Sequence, residues 1–189
     1  REYGLDGPGI VAERMKFFLG RAERSTRQSA LMGIEGSGTA LYFQGLRMLI
    51  PPELVFTRRV RRPPTDPANV LLSLGYTLLG CLAESAVAAA GLDPYVGFLH
   101  SLAYGRASLA LDLMEEFRPL LVDSLVVRLL RSGQIGADDF CTGTLEQPIR
   151  LGSEGLKKFL RAFSARMETS LRHPVTGTQA TYRRCLLLQ

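Results

Sequence analysis

The feature that most constrains this chain is a long apolar segment between residues 68 and 92. The 16 residues from Ala68 to Ala83 carry no charge, and only Glu84 interrupts the apolar run that continues to Leu92. A membrane span needs about 20 predominantly apolar residues, but this segment is diluted by small and polar residues: Asn69, Ser73, Gly75, Tyr76, Thr77, Gly80 and Ser85. We therefore predict a buried central helix at about 68–90 and no membrane association. A membrane-embedded helical protein is the alternative.

Composition narrows the class of protein further. A chain of 189 residues, 46% of them hydrophobic, buries roughly 70% of its unfolded surface, which excludes a disordered chain and a disulfide-stapled miniprotein. Lys and Arg number 23 against 18 Asp and Glu, and this +5 charge fits an anionic partner such as nucleic acid. Cys81, Cys141 and Cys185 have neither zinc-site nor disulfide-framework spacing, so we expect reduced thiols in the cytoplasm.

Helical periodicity dominates and predicts an all-α fold. Helices are expected at about 10–22, 31–50, 68–91, 108–131 with a bend at Pro119, and 153–172, with another opening at 181 and a short hairpin around 145–151. We expect a single helical domain over residues 1–189. It would have a lead-in helix within 1–30, a core at 31–172 that holds the site, and a truncated C-terminal segment at 173–189. The chain opens at Arg1 without a signal pattern, so we expect a piece of a longer protein.

His100 and the acidic residues after it form the first candidate site. Asp112 precedes Glu115 by three residues and Glu116 by four, so the three share one flank of a helix. A core histidine and a solvated acidic face are the structural interpretations, and a metal site is the functional one. In one continuous helix His100 and Glu115 would stand about 22 Å apart. A shared site therefore requires the chain to turn between them, and Gly105 is the natural position.

Glu35 is the third candidate, because it stands between Gly33 and Gly36 where a helix is expected to begin. Its carboxylate either complements the helix dipole or is held at the helix N-terminus, where glycines allow a ligand to approach closely. Two carboxylates and a histidine suit a hard divalent cation such as Mg²⁺ or Mn²⁺. Such ions serve phosphoryl transfer by polarising the phosphate and activating a hydroxyl nucleophile.

Two basic clusters are candidates for binding DNA phosphates. The first cluster consists of Arg58, Arg59, Arg61 and Arg62, and the second of Lys157, Lys158 and Arg161. Lys157 and Arg161 are four residues apart and therefore share a helix face. A solvated charged face is the alternative for such runs.

Several sequence blocks follow one another in a specific order between about residues 31 and 165. They are Met-Gly-Ile-Glu-Gly at 32–36 with Tyr-Phe at 42–43, Arg-Pro-Pro-Thr-Asp-Pro-Ala-Asn-Val-Leu-Leu-Ser-Leu-Gly-Tyr-Thr-Leu-Leu at 62–79, Gly-Leu-Asp-Pro-Tyr-Val-Gly-Phe-Leu-His at 91–100, Arg-Ala-Ser-Leu-Ala-Leu-Asp-Leu-Met-Glu-Glu-Phe-Arg-Pro at 106–119, and Gly-Leu-Lys-Lys-Phe-Leu at 155–160. This succession resembles the CRISPR-associated spacer integrase and endonuclease family, Cas-one. No single block is decisive, but their order is specific.

The resemblance implies that this is the family's helical catalytic domain. It places the metal ligands on Glu35, His100 and Glu115, with Asp112 supporting or sharing the site. It implies a metal-dependent DNA endonuclease and integrase that inserts short double-stranded fragments, the spacers, into a CRISPR repeat array. In that reaction, part of antiviral defence in a prokaryotic cytoplasm, a 3′-hydroxyl attacks a phosphodiester. The implied partners are DNA, a second copy of the chain, and the small second CRISPR-associated protein, Cas-two.

The chain departs from the family pattern on its N-terminal side. We expect no counterpart in this chain of the family's smaller β-rich N-terminal domain, and only about 24 residues separate Val11 from Glu35. Tyr76 and Asn69 are expected to pack around the site without a chemical role. The alternative function is a non-catalytic helical module for DNA binding or assembly. The presence of all three expected ligands favours the enzyme.

Overall fold

The computed structural model describes residues 7–141, 148–173 and 176–188. Within them lie seven α-helices: α1 Pro8–Glu23, α2 Gln28–Leu49, α3 Pro67–Ala89, α4 Ser108–Phe117, α5 Ser124–Arg131, α6 Ser153–Met167 and α7 Tyr182–Leu188. A π-helical segment, Arg118–Asp123, joins α4 to α5, and two short 3₁₀ turns span Pro52–Leu54 and Ala137–Asp139. The strands are β1 Phe140–Cys141, β2 Arg150–Leu151, β3 Ser170–Arg172 and β4 Gln179–Thr181. With strands of only two or three residues, the all-α prediction is confirmed.

The helix α3 forms the centre of the fold. Asp66 caps it by accepting a hydrogen bond from the N–H of Asn69 at 2.9 Å, and Pro67 occupies the first turn, as helix starts favour. The apolar residues of its buried face that are fully closed from solvent are Ala68, Leu71, Leu72, Leu79 and Ala83. Against it pack α4, the π-helical segment, α5 and α7. By length and composition alone α3 is able to cross a membrane, but here it supplies the core, as predicted.

The start of α2 corrects the interpretation of Glu35. The helix begins at Gln28, three residues before the predicted start at 31, and ends just before the two prolines that begin at Pro51. Glu35 therefore lies about two turns inside the helix. The effect of a helix dipole falls off within the first turn, so both interpretations that placed Glu35 at a helix N-terminus were wrong.

The helix predicted over 108–131 changes at Pro119 to the π-helical segment, which begins one residue before this proline. The predicted end of α6 at 172 was wrong, since the helix stops at Met167. The next residues form β3, which pairs antiparallel with β4. Strand β2 pairs back onto β1. Much of the loop between them, residues 142–147, lies outside the described residues, as does the first part of the predicted hairpin.

Candidate metal and nucleic-acid site

The loop between α3 and α4 turns back onto α4. At Gly105 the backbone has φ +68°, in the left-handed region that glycine adopts without strain. The carboxylate of Asp112 accepts hydrogen bonds from the backbone N–H groups of Phe98 (2.6 Å), Leu99 (3.0 Å) and His100 (3.1 Å). The required turn between His100 and α4 is therefore present, and it returns His100 to the side of the helix.

Gly97 makes this closure possible. A Cβ at this position would stand 2.7 Å from the carbonyl oxygen of His100, 2.8 Å from Oδ2 of Asp112 and 2.8 Å from Cβ of Ser108. From the other side, Nε2 of Gln28 on α2 donates to the carbonyl groups of the two residues before His100, at 3.3 and 2.8 Å. The loop is thus held by α4 and α2 together.

The imidazole of His100 lies between two carboxylates. Its Nδ1 is 2.5 Å from Oδ1 of Asp112, and its Nε2 is 3.6 Å from Oε1 of Glu115. The separation from Glu115 is longer than a hydrogen bond. A carboxylate on one ring nitrogen fixes the orientation of a histidine and leaves the other nitrogen available to a ligand. The ring is therefore held by acidic groups rather than packed as an apolar core residue.

The two carboxylates beside His100 have opposite pKa shifts. Partial burial raises the pKa of Asp112, but hydrogen bonds from His100 and from backbone N–H groups outweigh it, so this pKa lies below its usual value. Burial raises the pKa of Glu115, and the charges of Glu35 and Asp112 add to the increase. Arg118, whose Nη1 is 3.9 Å away, and His100 oppose it. Glu115 is therefore a carboxylate whose charged form would gain from a cation.

Glu35 shares a cavity with Glu115 but is not bonded to it. Its Oε1 accepts a hydrogen bond from Oγ1 of Thr39 at 2.7 Å, and all three residues line the same cavity. In the described part of the chain, no three His, Cys, Asp or Glu side chains stand in a group that could hold a metal ion as they are. The side chains of Glu35, Glu115 and His100 nevertheless have the chemistry that a hard divalent ion requires. They offer two carboxylates and an imidazole whose other ring nitrogen is held by Asp112.

The cavity beside this cluster has a volume of about 880 Å³. Its walls combine the carboxylates of Glu35 and Glu115 with four arginines and with apolar side chains. The arginines are Arg59, Arg61, Arg62 and Arg118, and the apolar residues from α1 and α2 include Met15, Phe18, Leu19, Leu31 and Ile34. Such a cationic wall beside acidic side chains suits a nucleic-acid backbone.

The first basic cluster is held in place by Asn69 of α3. Asn69 is fully buried, and its Oδ1 accepts hydrogen bonds from Nη1 of Arg59 and the N–H of Val60, both at 2.9 Å. Its Nδ2 donates to the carbonyl oxygen of Arg58 at 2.8 Å. The side chain of Arg58 is exposed and does not line the cavity, whereas the cluster's other three arginines do. Asn69 therefore packs as expected and also positions the basic connector.

The second basic cluster lies on α6, and none of its members lines this cavity. Lys157 forms an ion pair with Glu154 at 2.7 Å, and Lys158 forms one with Asp139 at 2.8 Å. Arg161 is exposed on the same helix. If this cluster binds DNA, it contacts a part of the strand away from His100.

A buried polar network beside the cavity was missed at the sequence level. The hydroxyl groups of Tyr42 and Tyr76 both donate to Asp123, at 2.7 and 2.5 Å. Tyr76, which we had placed in simple packing, thus bonds a buried carboxylate. The available signal was a lone acidic residue in the apolar run from Leu120 to Val127, because buried carboxylates are rare unless they are paired.

A histidine held between carboxylates beside an arginine-lined cavity places possible metal ligands next to groups that bind phosphate, the combination that a metal-dependent enzyme acting on nucleic acids uses. The family model for the CRISPR associated protein Cas1 matches residues 10–165. The chain belongs to this Cas1 family. It is 50% identical over 177 residues to the CRISPR-associated endonuclease Cas1 3 of Thermus thermophilus, covering 94% of this chain and 53% of that protein.

Solved structures agree with this family. A casposase bound to integration product superposes with a TM-score of 0.80 at 27% identity, covering 94% of this chain and 54% of that one. A partial Cas6-RT-Cas1–Cas2 complex matches with a TM-score of 0.83 at 31% identity, over 97% of this chain and 53% of that one. The chain spans between about a third and about half of the length of the curated relatives it matches.

Proposed function

We propose that this chain is a helical catalytic domain of a divalent-metal-dependent DNA endonuclease and integrase. It inserts short double-stranded fragments into a CRISPR array during antiviral defence in a prokaryotic cytoplasm. The observation that carries the proposal is the His100 imidazole, held between Asp112 and Glu115 beside a cavity shared with Glu35 and four arginines. The matches to Cas1 endonucleases and to a casposase bound to integration product support it.

Glu35, His100 and Glu115 would hold the Mg²⁺ or Mn²⁺ ion. When bound, such an ion polarises the scissile phosphate and lowers the pKa of the attacking hydroxyl. Asp112 keeps Nδ1 of His100 engaged, so Nε2 is the nitrogen available to a ligand. The same carboxylate holds the loop that carries His100 on α4, and so fixes both the place and the orientation of the ring.

Strand transfer would join the 3′ end of the fragment to the repeat by exchanging one phosphodiester bond for another. The 3′-oxygen of the fragment forms a bond to a phosphorus atom at the border of the repeat. The bond from that phosphorus to the displaced strand breaks, and that oxygen leaves as a hydroxyl with the proton that the attacking group lost. The arginines of the cavity wall, Arg59, Arg61 and Arg62, would bind flanking phosphates. Arg58, Lys157, Lys158 and Arg161 would bind DNA outside the cavity.

The assembly we propose is a homodimer that joins the small Cas-two protein. The match to a complex that contains Cas1 and Cas2 supports a Cas-two partner for this chain. The alternative function is a non-catalytic module. It is kept because the described residues contain no group of three metal ligands that is already assembled. A strand-transfer assay on site variants therefore separates the two functions.

The substitution Glu115→Ala tests the catalytic proposal. We expect it to reduce metal-dependent strand transfer to background, because it removes one of three proposed ligands. Burial disfavours the charged form of Glu115, so the melting temperature should not fall. Strand joining is measured with a labelled fragment and a repeat-containing duplex in Mg²⁺ or Mn²⁺.

Glu116→Ala is the matched control, since Glu116 is the next residue of α4 and does not line the cavity. Its strand transfer should equal that of the parent. Full activity of Glu115→Ala would contradict the site assignment. A parent protein that binds DNA but joins no strands in either metal would support the non-catalytic module instead.

A further inference from the structure

Asp123 is a buried carboxylate to which neither metal binding nor phosphate binding assigns a function. It is 2% exposed, and it accepts hydrogen bonds from the hydroxyl groups of Tyr42, at Oδ2, and Tyr76, at Oδ1. Burial, and then the charge of Asp123, raises the pKa of each phenol far above its usual value, so both remain donors. One carboxylate thus connects α2, α3 and the π-helical segment.

The positive charges that stabilise the Asp123 carboxylate lie beyond ion-pair distance. In the described residues no Lys, Arg or His forms an ion pair with its carboxylate. Burial raises the pKa of Asp123. The hydrogen bonds from Tyr76 and Tyr42, and after them the charges of Arg118 and Arg59, counteract that increase. A buried charge is costly unless it is compensated. The two hydroxyl groups supply part of the compensation, and the two guanidinium groups supply its positive charge.

Both guanidinium groups lie over the ring of Tyr76. The Cζ atom of Arg59 is 5.3 Å from the ring centroid, and that of Arg118 is 5.6 Å away. Two cations so placed repel each other, and the negative face of the ring together with the carboxylate bonded to its hydroxyl offsets that repulsion. Both arginines line the cavity, and each has a buried Nε without a hydrogen-bond partner in the described structure.

We propose that Asp123 is a positioning residue that acts through Tyr76 to hold Arg59 and Arg118 as a paired binding site for DNA phosphate oxygens. The pair serves the strand whose phosphodiester reaches Glu115, since Nη1 of Arg118 is 3.9 Å from that carboxylate. The hydroxyl bond fixes the plane of the ring, and the ring holds the two guanidinium groups that lie over it. For Arg59 it acts together with the hydrogen bonds to Asn69 and Ser73. This inference rests on the proposed function, because it takes DNA as the ligand.

The experiment compares DNA binding by Asp123→Asn and Tyr76→Phe with binding by the parent, measured by fluorescence anisotropy in EDTA over a range of salt concentrations. Each variant should raise the Kd about tenfold, the effect expected on removing a hydrogen bond to a charged group. The log–log salt slope should become shallower by about one unit for each phosphate that the variant no longer binds. In strand transfer the KM for DNA should rise about tenfold while kcat changes little, because these contacts bind substrate and transition state alike.

Tyr182→Phe is the matched control. Arg166 lies 5.4 Å over the ring of Tyr182 outside the cavity, so removal of this hydroxyl should leave Kd and slope unchanged. A purely structural network would lower the melting temperature of Asp123→Asn and leave Kd, slope and KM at parental values, which would overturn the inference. If Asp123→Asn does not fold, Tyr76→Phe decides, because it keeps both the ring and the carboxylate.

The two proposals fail in different ways. If the parent joins DNA strands and the two variants bind DNA as tightly as the parent, only the positioning role is overturned. A parent that joins no strands, with Kd still raised in the two variants, overturns the proposed function and keeps the arginine pair as a DNA-binding site.

Discussion

At the scale of single residues, one carboxylate organises the site. Asp112 accepts hydrogen bonds from three backbone N–H groups of the loop and contacts Nδ1 of His100. These bonds replace those that the N–H groups would otherwise make with water. The geometry leaves no room for a side chain at Gly97. The chemistry proposed for His100 thus depends on a glycine that bears no functional group.

The substitution Gly97→Ala should displace the loop from Asp112, because a methyl group would collide with that carboxylate and with a backbone carbonyl. We expect a large decrease in strand transfer and a lower melting temperature. The imidazole signals of His100 in NMR spectra should also shift, and the chain has only two histidines to assign. Gly105→Ala is the control. It strains the same loop at φ +68° but meets no atom within 4 Å, so the His100 signals should stay in place. Parental His100 signals in Gly97→Ala would contradict this account.

At the scale of elements, close packing of α3 on the π-helical segment places the network around the cavity. A Cβ on Gly75 would stand 2.5 Å from Cγ1 of Val122 and 3.3 Å from Cζ of Phe159. The missing side chain therefore lets the two helical segments approach each other. This approach brings Tyr76, the next residue of α3, within bonding distance of Asp123, the residue after Val122.

The same substitution should have opposite effects in two helices. Gly75→Ala should lower the free energy of unfolding by about 1–3 kcal/mol through overpacking. Gly33→Ala, at an exposed position of α2 with no atom within 4 Å of the added Cβ, should raise it by about 0.5–1 kcal/mol because alanine favours the helix. Urea unfolding of both variants measures the difference. If both variants unfolded at a higher free energy than the parent, helix propensity, rather than the approach of the two segments, would decide the stability at Gly75.

At the scale of the whole molecule, positive charge is divided between two surfaces. The cavity wall holds Arg61 and Arg62, whereas the α6 cluster holds two lysines that already pair with acidic residues. Cations already paired in the protein gain less from a phosphate, since they must exchange one anion for another. Most of the salt-dependent affinity for DNA should therefore come from the cavity wall.

Replacing Arg61 and Arg62 together by Ala should weaken DNA binding and make the log–log salt dependence shallower by about two units, about one for each phosphate that the cavity wall no longer binds. Titration of labelled duplex DNA between low and moderate salt measures the slope. Arg131→Ala, at the exposed end of α5, serves as a control for net charge and should leave the slope near that of the parent. An unchanged slope in the double variant would show that the first cluster is a solvated charged face that does not bind DNA phosphates.

Much of the fold was open to prediction because local patterns encode it. The apolar run around Leu71 and Leu72 predicts a core helix, and Pro119 predicts that the regular α-helix is interrupted between α4 and α5. The end of α6 was not predictable in the same way. The residues around Leu171 form a strand only because β4 pairs with them, and such pairing between separate parts of the chain leaves little trace in local periodicity.

The sequence by itself determined the helical class, the central helix and the residue types of the candidate site, because helix period, proline positions and side-chain chemistry are local properties. Only the tertiary structure decided that His100 returns to Glu115, and that Tyr42 and Tyr76 meet on Asp123. These contacts join residues up to 81 positions apart. Their energy comes from burial and hydrogen bonding between elements, which exist only once the helices have packed.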